Sequence, residues 1–268
     1  MGSESWNTIH KATNRLSFGG DLARFVPQAD GKGEVRYPLE RRASVKDVLE
    51  SLGVPHTEIG SLSINGQWAD FETLLRPGDS VLVLPPLPPV DVTRPSRLHN
   101  VPATWRFLVD VNVGKLARML RMLGFDAADN PVENDADLAA RAVAEQRIVL
   151  SKDAGLLKRK AVVWARHLRS EDPQAQLREV VWFFGLARQS APFTRCLRCN
   201  VALERVDKAA IAHRLLPKTK RYYHEFARCP ECDRLYWRGS HYAQMHKWLG
   251  AMEPSALGAL PFSAVHGA

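Results

Sequence analysis

A chain of 268 residues, 45% hydrophobic and 25% charged, has room for two or three compact units and the profile of an ordinary folded, cytoplasmic protein. No apolar run reaches the ~20 residues of a membrane span; the longest, Val81–Val90, is broken by four prolines, and Met1–His10 lacks the apolar centre of a secretory signal. The net charge of +8 divides as −2 over residues 1–90, +3 over 91–187 and +7 over 188–268, so a polyanionic partner is expected to meet the last third.

Residues 1–12 read as a tail. Over residues 13–86 the order is strand, strand, helix, strand, turn, strand. Arg15–Phe18 and Glu34–Leu39 are short β-type runs. Ser44-Val45-Lys46-Asp47 resembles a capping box, with Ser44 as N-cap of a helix that runs to about Leu52 and stops at Gly53. Asn65-Gly66 between Leu62/Ile64 and Trp68 signals a hairpin, and Arg76-Pro77-Gly78-Asp79 turns into the buried-strand run Val81–Leu84. That order is a β-grasp, and its closing strand resembles those of ubiquitin-like sulfur carriers. Carrier chemistry needs a free Gly-Gly end; here the strand runs into Leu84-Pro85-Pro86-Leu87-Pro88-Pro89 instead, which excludes it. Contact with a protein partner, substrate positioning or a purely structural part remain for this domain. Residues 87–104 read as an extended, semi-rigid proline-rich linker.

From 105 to 190 strands and helices alternate, which predicts an α/β/α unit with a parallel sheet. Arg106–Val109 is a strand ending at Asp110. Val113–Leu123 is a helix with Leu116, Met119, Leu120 and Leu123 on one face and Gly124 as its stop. Asp135–Glu145 is a second helix, Arg147–Ser151 a strand leading to Asp153, Val162–Leu168 a third strand, and Pro173–Phe184 a last helix. Asp110, Asp135 and Asp153 fall where an open parallel sheet gathers its ligands, beyond the carboxyl ends of the strands. Hard carboxylate oxygens suit Mg²⁺ or Mn²⁺. Asp135 and Asp137 also suit plain helix-start acids.

Residues 191–250 hold all four cysteines, in Cys196-x-x-Cys199 and Cys229-x-x-Cys232. Two such pairs offer four thiolates to one structural zinc, closing its coordination; disulfides would require an oxidising compartment. Two thiolate charges beyond those of the zinc lower this region to about +5. Between the pairs lie Lys218, Lys220 and Arg221, and past them Tyr236, Trp237, Arg238, His241 and Tyr242. Cations interleaved with aromatics suit phosphate contact and base stacking, although Tyr236, Trp237 and Tyr242 could equally pack on the metal site. Residues 251–268 read as a tail.

The segments FLVDVNVGKLARMLRMLGFDA, DADLAARAVAEQRIVLSKDAGLLKR, TRCLRCNVALERV and ARCPECDRLYWRGSHYAQM together resemble the Mut-seven-C-type RNase family, a PIN-like nuclease domain with a C-terminal zinc ribbon, whose bacterial members often carry an N-terminal ubiquitin-like domain. The resemblance implies metal-dependent cleavage of RNA, with Asp110, Asp135 and Asp153 as catalytic acids on Mg²⁺ or Mn²⁺. It also implies Lys115, Arg118 and Lys152 near a bound phosphate. Ser151-Lys152-Asp153 replaces the family's Thr-Arg-Asp, and Ala154-Gly155-Leu156-Leu157 offers no further acid there, which puts a second metal in doubt. The partner expected is RNA (ribosomal, transfer or messenger), alone or on the ribosome. The alternative expectation is a non-catalytic RNA- or ribosome-associated factor that uses the fold for docking; a toxin-like regulator is a third.

Overall fold

In the computed structural model, residues 13–99, 103–129, 134–239 and Tyr242 are described. The first sheet holds β1 (Thr13–Phe18), β2 (Glu34–Pro38), β3 (Ser61–Ile64), β4 (Gln67–Trp68) and β5 (Ser80–Leu84) in the order β2-β1-β5-β3-β4. β1 and β5 pair in parallel at the centre and the other pairs are antiparallel, which is the β-grasp arrangement. Inward residues such as Leu16, Phe18, Val81 and Val83 meet Val45, Val48 and Leu49 of α1 (Val45–Ser51). Ser44 caps that helix, its hydroxyl accepting the Asp47 N–H at 3.1 Å. Asn65 and Gly66 both adopt positive φ, as a type I′ hairpin turn demands.

The second sheet is all parallel, β7-β6-β8-β9, from β6 (Arg106–Val109), β7 (Asp126–Asp129), β8 (Ile148–Ser151) and β9 (Ala165–His167). Its helices are α2 (Lys115–Met122), α3 (Asp135–Ala144), the short α4 (Ala154–Leu157) and α5 (Pro173–Phe184). Both faces are buried. Phe107, Val109, Ile148 and Leu150 share one core with α2 and α5, while the alternate residues Leu108 and Val149 face Leu138, Ala139 and Ala142 of α3. The strand β7 follows Gly124 without a conspicuous hydrophobic run. Its residues Asp126-Ala127-Ala128-Asp129 carry the polar ends that the third sheet's module later uses.

The third sheet is a small antiparallel one of β10 (Glu204–Val206), β11 (Phe226–Arg228) and β12 (Leu235–Trp237), with α6 (Lys208–Ile211) and α7 (Pro217–Tyr222) inserted between β10 and β11. That insertion accounts for the long spacing between the cysteine pairs.

The proline-rich segment, expected as an extended, semi-rigid linker, is packed onto the parallel-sheet unit. Val92 is fully buried in the core of the parallel-sheet unit, Val90 N–H donates to Phe183 O at 2.8 Å, and Ala103 N–H donates to Val92 O at 2.8 Å. Apolar residues between the prolines found a surface, and the segment became a strap.

The β-grasp unit is docked along β9, the open edge of the parallel sheet. Glu58, only 2% exposed, accepts His167 N–H at 2.7 Å and the Arg166 guanidinium at 2.5 Å, while Arg166 also pairs with Glu179 at 2.8 Å. Burial pushes the Glu58 carboxyl up, against the pull of Arg166 and the His167 amide. His56 Nε2 lies 2.8 Å from Val162 O, and Arg169 pairs with Asp21. An edge strand left bare is a template for unwanted pairing; here a carboxylate from the neighbouring domain takes the His167 N–H of that edge. No helix among the described residues is long and apolar enough to cross a membrane.

Candidate functional site

After β6 the chain passes through α2 to β7 on one side, then returns to β8 on the other side of β6. The sheet therefore has its topological switch point between β6 and β8, where open α/β sheets bind ligands beyond the carboxyl ends of the strands. Asp110 follows β6, and Lys152-Asp153 follows Ser151 at the end of β8, so this crevice is lined by two of the three acids.

Ser151 joins them. Its buried hydroxyl donates to Asp110 Oδ2 at 2.6 Å and accepts the Asp153 N–H at 2.9 Å. Asn112, to which the sequence had drawn no attention, donates from Nδ2 to Asp110 Oδ2 at 2.7 Å and to Ser151 Oγ at 3.2 Å, and accepts Lys152 N–H at 3.2 Å. Asp110 is 8% exposed, and its other oxygen accepts Val111 N–H at 2.7 Å. An ionised carboxylate has about four acceptor positions; three are used. Asp153 is exposed, and its Oδ1 caps α4 by accepting the Gly155 and Leu156 N–H groups. Its Oδ2 has no hydrogen-bond partner among the described residues. One acceptor position on Asp110 and a free oxygen on Asp153 fit Mg²⁺ or Mn²⁺, which needs only one or two direct carboxylates beside water and substrate phosphate.

Asp135 is not brought into this network. It is the first residue of α3, whose cap is Asn134, and it lies 3.6 Å from the Arg159 guanidinium. Asp137 accepts the Asn134 side-chain amide at 2.9 Å. Lys115 and Arg118 project from α2 into solvent without ion partners among the described residues. Lys152, expected at the phosphate, pairs with Glu171.

The cysteines form the tightest ligand group. Their four Sγ atoms lie within 4.8 Å of one another, no disulfide links them, and no other such group of His, Cys, Asp or Glu occurs among the described residues. The two knuckles match. Cys196 N–H donates to Val201 O and Cys229 N–H to Arg234 O; Asn200 N–H and Asp233 N–H turn back onto the Cys196 and Cys229 carbonyls. Asn200 and Asp233 take the left-handed conformation, which short polar side chains tolerate. Cys196 Sγ stands 3.7 Å from Cys232 Sγ, and four thiolates at about 2.3 Å around zinc have sulfur–sulfur edges of about 3.8 Å. Burial opposes ionisation of Cys196, but the Cys199 amide and the Tyr236 hydroxyl, 3.2 Å away, hold it at about 6. Burial and the neighbouring thiols push Cys199 and Cys229 up. One ready thiolate among reluctant neighbours is an arrangement that a cation completes, and the four cysteines are placed to bind zinc.

Tyr236 is thereby a metal-site residue: its hydroxyl also accepts Leu197 N–H at 3.1 Å. Trp237, 38% exposed, lines an open groove of about 390 Å³ with Leu216, Thr219 and Arg234. Lys218, Lys220 and Arg221 are exposed on α7. Arg238 pairs with Glu225 at 3.3 Å and lies over the Tyr242 ring, and His241 falls outside the described residues.

The module is bolted to β7 by residues the sequence concealed. Arg121, buried on the inner face of α2, donates to Ala127 O, to Leu197 O and Arg198 O of the first knuckle, and to Asp129 at 2.6 Å. Asn200 exchanges bonds with Asp126 and with Ala127 N–H. Gly124 has φ +93°, and a Cβ there would sit 2.1 Å from Ala191 O, so the connecting segment lies directly on it.

The model of the Mut7-C RNase domain matches residues 105–249, more than half of the chain. The chain belongs to the Mut7-C RNase family. The model of the Mut7-C ubiquitin domain matches residues 12–91, the β-grasp unit. Searches of curated proteins and of solved structures returned no match. Membership of the Mut7-C RNase family points to a ribonuclease-type function and to RNA binding.

Proposed function

We propose that this Mut7-C protein is a Mg²⁺- or Mn²⁺-dependent ribonuclease, cleaving RNA at the switch point between β6 and β8. The observation that carries the reading is the single Ser151 hydroxyl tying Asp110 to the Asp153 backbone there. Asp110 and Asp153 would hold the cation, and Asp135, the third acid of the family pattern, stands outside their network beside Arg159. A bound cation would supply Lewis-acid polarisation of the phosphodiester and activate water for in-line attack. Ser151 and Asn112 keep the Asp110 carboxylate aimed. Lys115 and Arg118 grip the adjoining phosphates, and the zinc module supplies further affinity through Lys218, Lys220 and Arg221 and a stacking surface at Trp237.

The separation of Asp135 from the Asp110–Ser151–Asp153 network favours a second reading, a non-catalytic RNA- or ribosome-associated factor. Cleavage of labelled structured RNAs by wild type, Asp153→Asn and Asp137→Asn, each with either cation, decides between them. Loss of cleavage in Asp153→Asn and its retention in Asp137→Asn supports the nuclease; identical trace cleavage by all three supports the binding factor.

A further inference from the structure

The ubiquitin-like unit does more at β9 than cover an edge. Its segment Leu22–Phe25 reaches the carboxyl end of that strand, the side on which the acids lie. The Phe25 ring stands edge-on to His167 with centroids 5.0 Å apart. Arg24 Nη2 lies 3.5 Å from His167 Nδ1, and the same guanidinium is held 3.3 Å from Asp21 and 3.6 Å from Glu58. Arginine can only donate, so Nδ1 accepts, and the ring proton of a neutral His167 is on Nε2. His167 stands opposite Ser151 in the β8–β9 pairing, which brings the imidazole beside the Lys152 backbone that follows. A protonated Nε2 leaves the ring a donor to offer on that side.

Lys152 is the middle of the Ser151-Lys152-Asp153 step. Its N–H is held by Asn112, which also holds Asp110, and Leu168 N–H donates to Ser151 O at 2.9 Å. A continuous path therefore runs from one domain into the other's crevice: Arg24 and Phe25, His167, its β8 partner Ser151, Asp110. The buried Glu58–Arg166 pair fixes the register of the docking.

We infer that the ubiquitin-like domain is a built-in positioning element of the acid site, and that His167 is the positioning residue through which Arg24 and Phe25 set the Ser151–Asp153 loop. This rests on the acid-site reading above and extends it to a domain that the reading leaves unused. The free Gly-Gly end of a carrier has no part in such a role; what matters is the docked face.

The test uses the full chain and two readouts, one of which needs no activity. Hydrogen exchange follows the N–H groups of Lys152, bonded to Asn112, and of Asp153, Gly155 and Leu156, bonded to Ser151 and Asp153. Phe25→Ala and His167→Ala should speed their exchange, whereas His167→Gln, which keeps a donor near the Nε2 position, should leave them close to wild type. In cleavage assays the two alanine variants should lower kcat by about tenfold or more with KM unchanged, because misplaced groups lose rate rather than affinity. His167→Gln should restore most of kcat. Faster exchange confined to residues 165–168, with the loop unchanged, would overturn the inference and leave only edge protection. If wild type does not cleave RNA at all, the nuclease reading fails, and the exchange data alone still decide whether the domain holds the loop.

Discussion

His99 gives the account a prediction that can be worked through. It lies where the β-grasp unit, the proline-rich strap and the parallel-sheet unit meet, with Nε2 3.2 Å from Ile59 O and its ring 4.7 Å from Trp164. Burial is the largest influence on it and lowers its pKa from 6.5 to about 4. Between those values the unfolded chain binds the proton and the folded chain does not. The contribution is therefore complete above about pH 6.5 and is lost as pH falls through the window. The full shift corresponds to about 3 kcal/mol, of which roughly 2 kcal/mol disappears between pH 7 and pH 5. Glu58 acts in the opposite sense: burial raises its pKa, so its contribution grows as pH falls and is lost as pH rises through the raised value. Denaturant unfolding of wild type and His99→Gln across this range separates the two, because Glu58 and the thiols are common to both chains. The wild type should lose roughly 2 kcal/mol more than the variant between pH 7 and pH 5. Parallel profiles would refute the buried, neutral His99 and the tight three-way junction with it.

Protein prepared without chelator should contain one zinc per chain by elemental analysis, and Tyr236→Phe, which removes the hydroxyl beside Cys196, should weaken zinc retention about tenfold in a competition with chelator. Arg121→Met leaves the Ala127, Leu197 and Arg198 carbonyls without their donor, so the knuckle should loosen from β7 at a cost of about 3 kcal/mol, read as faster proteolysis between residues 186 and 195. Joint replacement of Lys218, Lys220 and Arg221 by Ala should weaken RNA binding and reduce the log–log salt slope by about 0.7–0.9 for each phosphate that the variant no longer neutralises. An unchanged slope would place the polyanion elsewhere, the Lys158-Arg159-Lys160 run being the next candidate.

The fold was legible in sequence wherever a short-range signal carried it. The Ser44 cap, the Asn65-Gly66 turn and the apolar run Val81–Leu84 each act within a few residues, and the paired Cys-x-x-Cys spacing defines its own chemistry. β7 was not legible, because Asp126-Ala127-Ala128-Asp129 has no apolar run; its identity as a strand comes from pairing with β6 and from the Arg121 and Asn200 bonds to it. Arg121 did leave a trace, a cation on the otherwise apolar face with Leu116, Ala117 and Leu120. Asn112 left none, since its partners Asp110, Ser151 and Lys152 are assembled only by neighbouring parallel strands. The strap and the Glu58–Arg166 contact were hidden for the same reason: Glu58 and Arg166, for one, stand 108 positions apart.

Asp110→Asn tests the central claim most directly, because it keeps the shape of the side chain and removes the charge that would hold the cation. Single-turnover cleavage of a structured RNA with Mn²⁺ should vanish in the variant, while its RNA affinity stays within about twofold of wild type, since phosphate and base contacts lie on other residues. Equal cleavage rates in the two proteins would contradict the account.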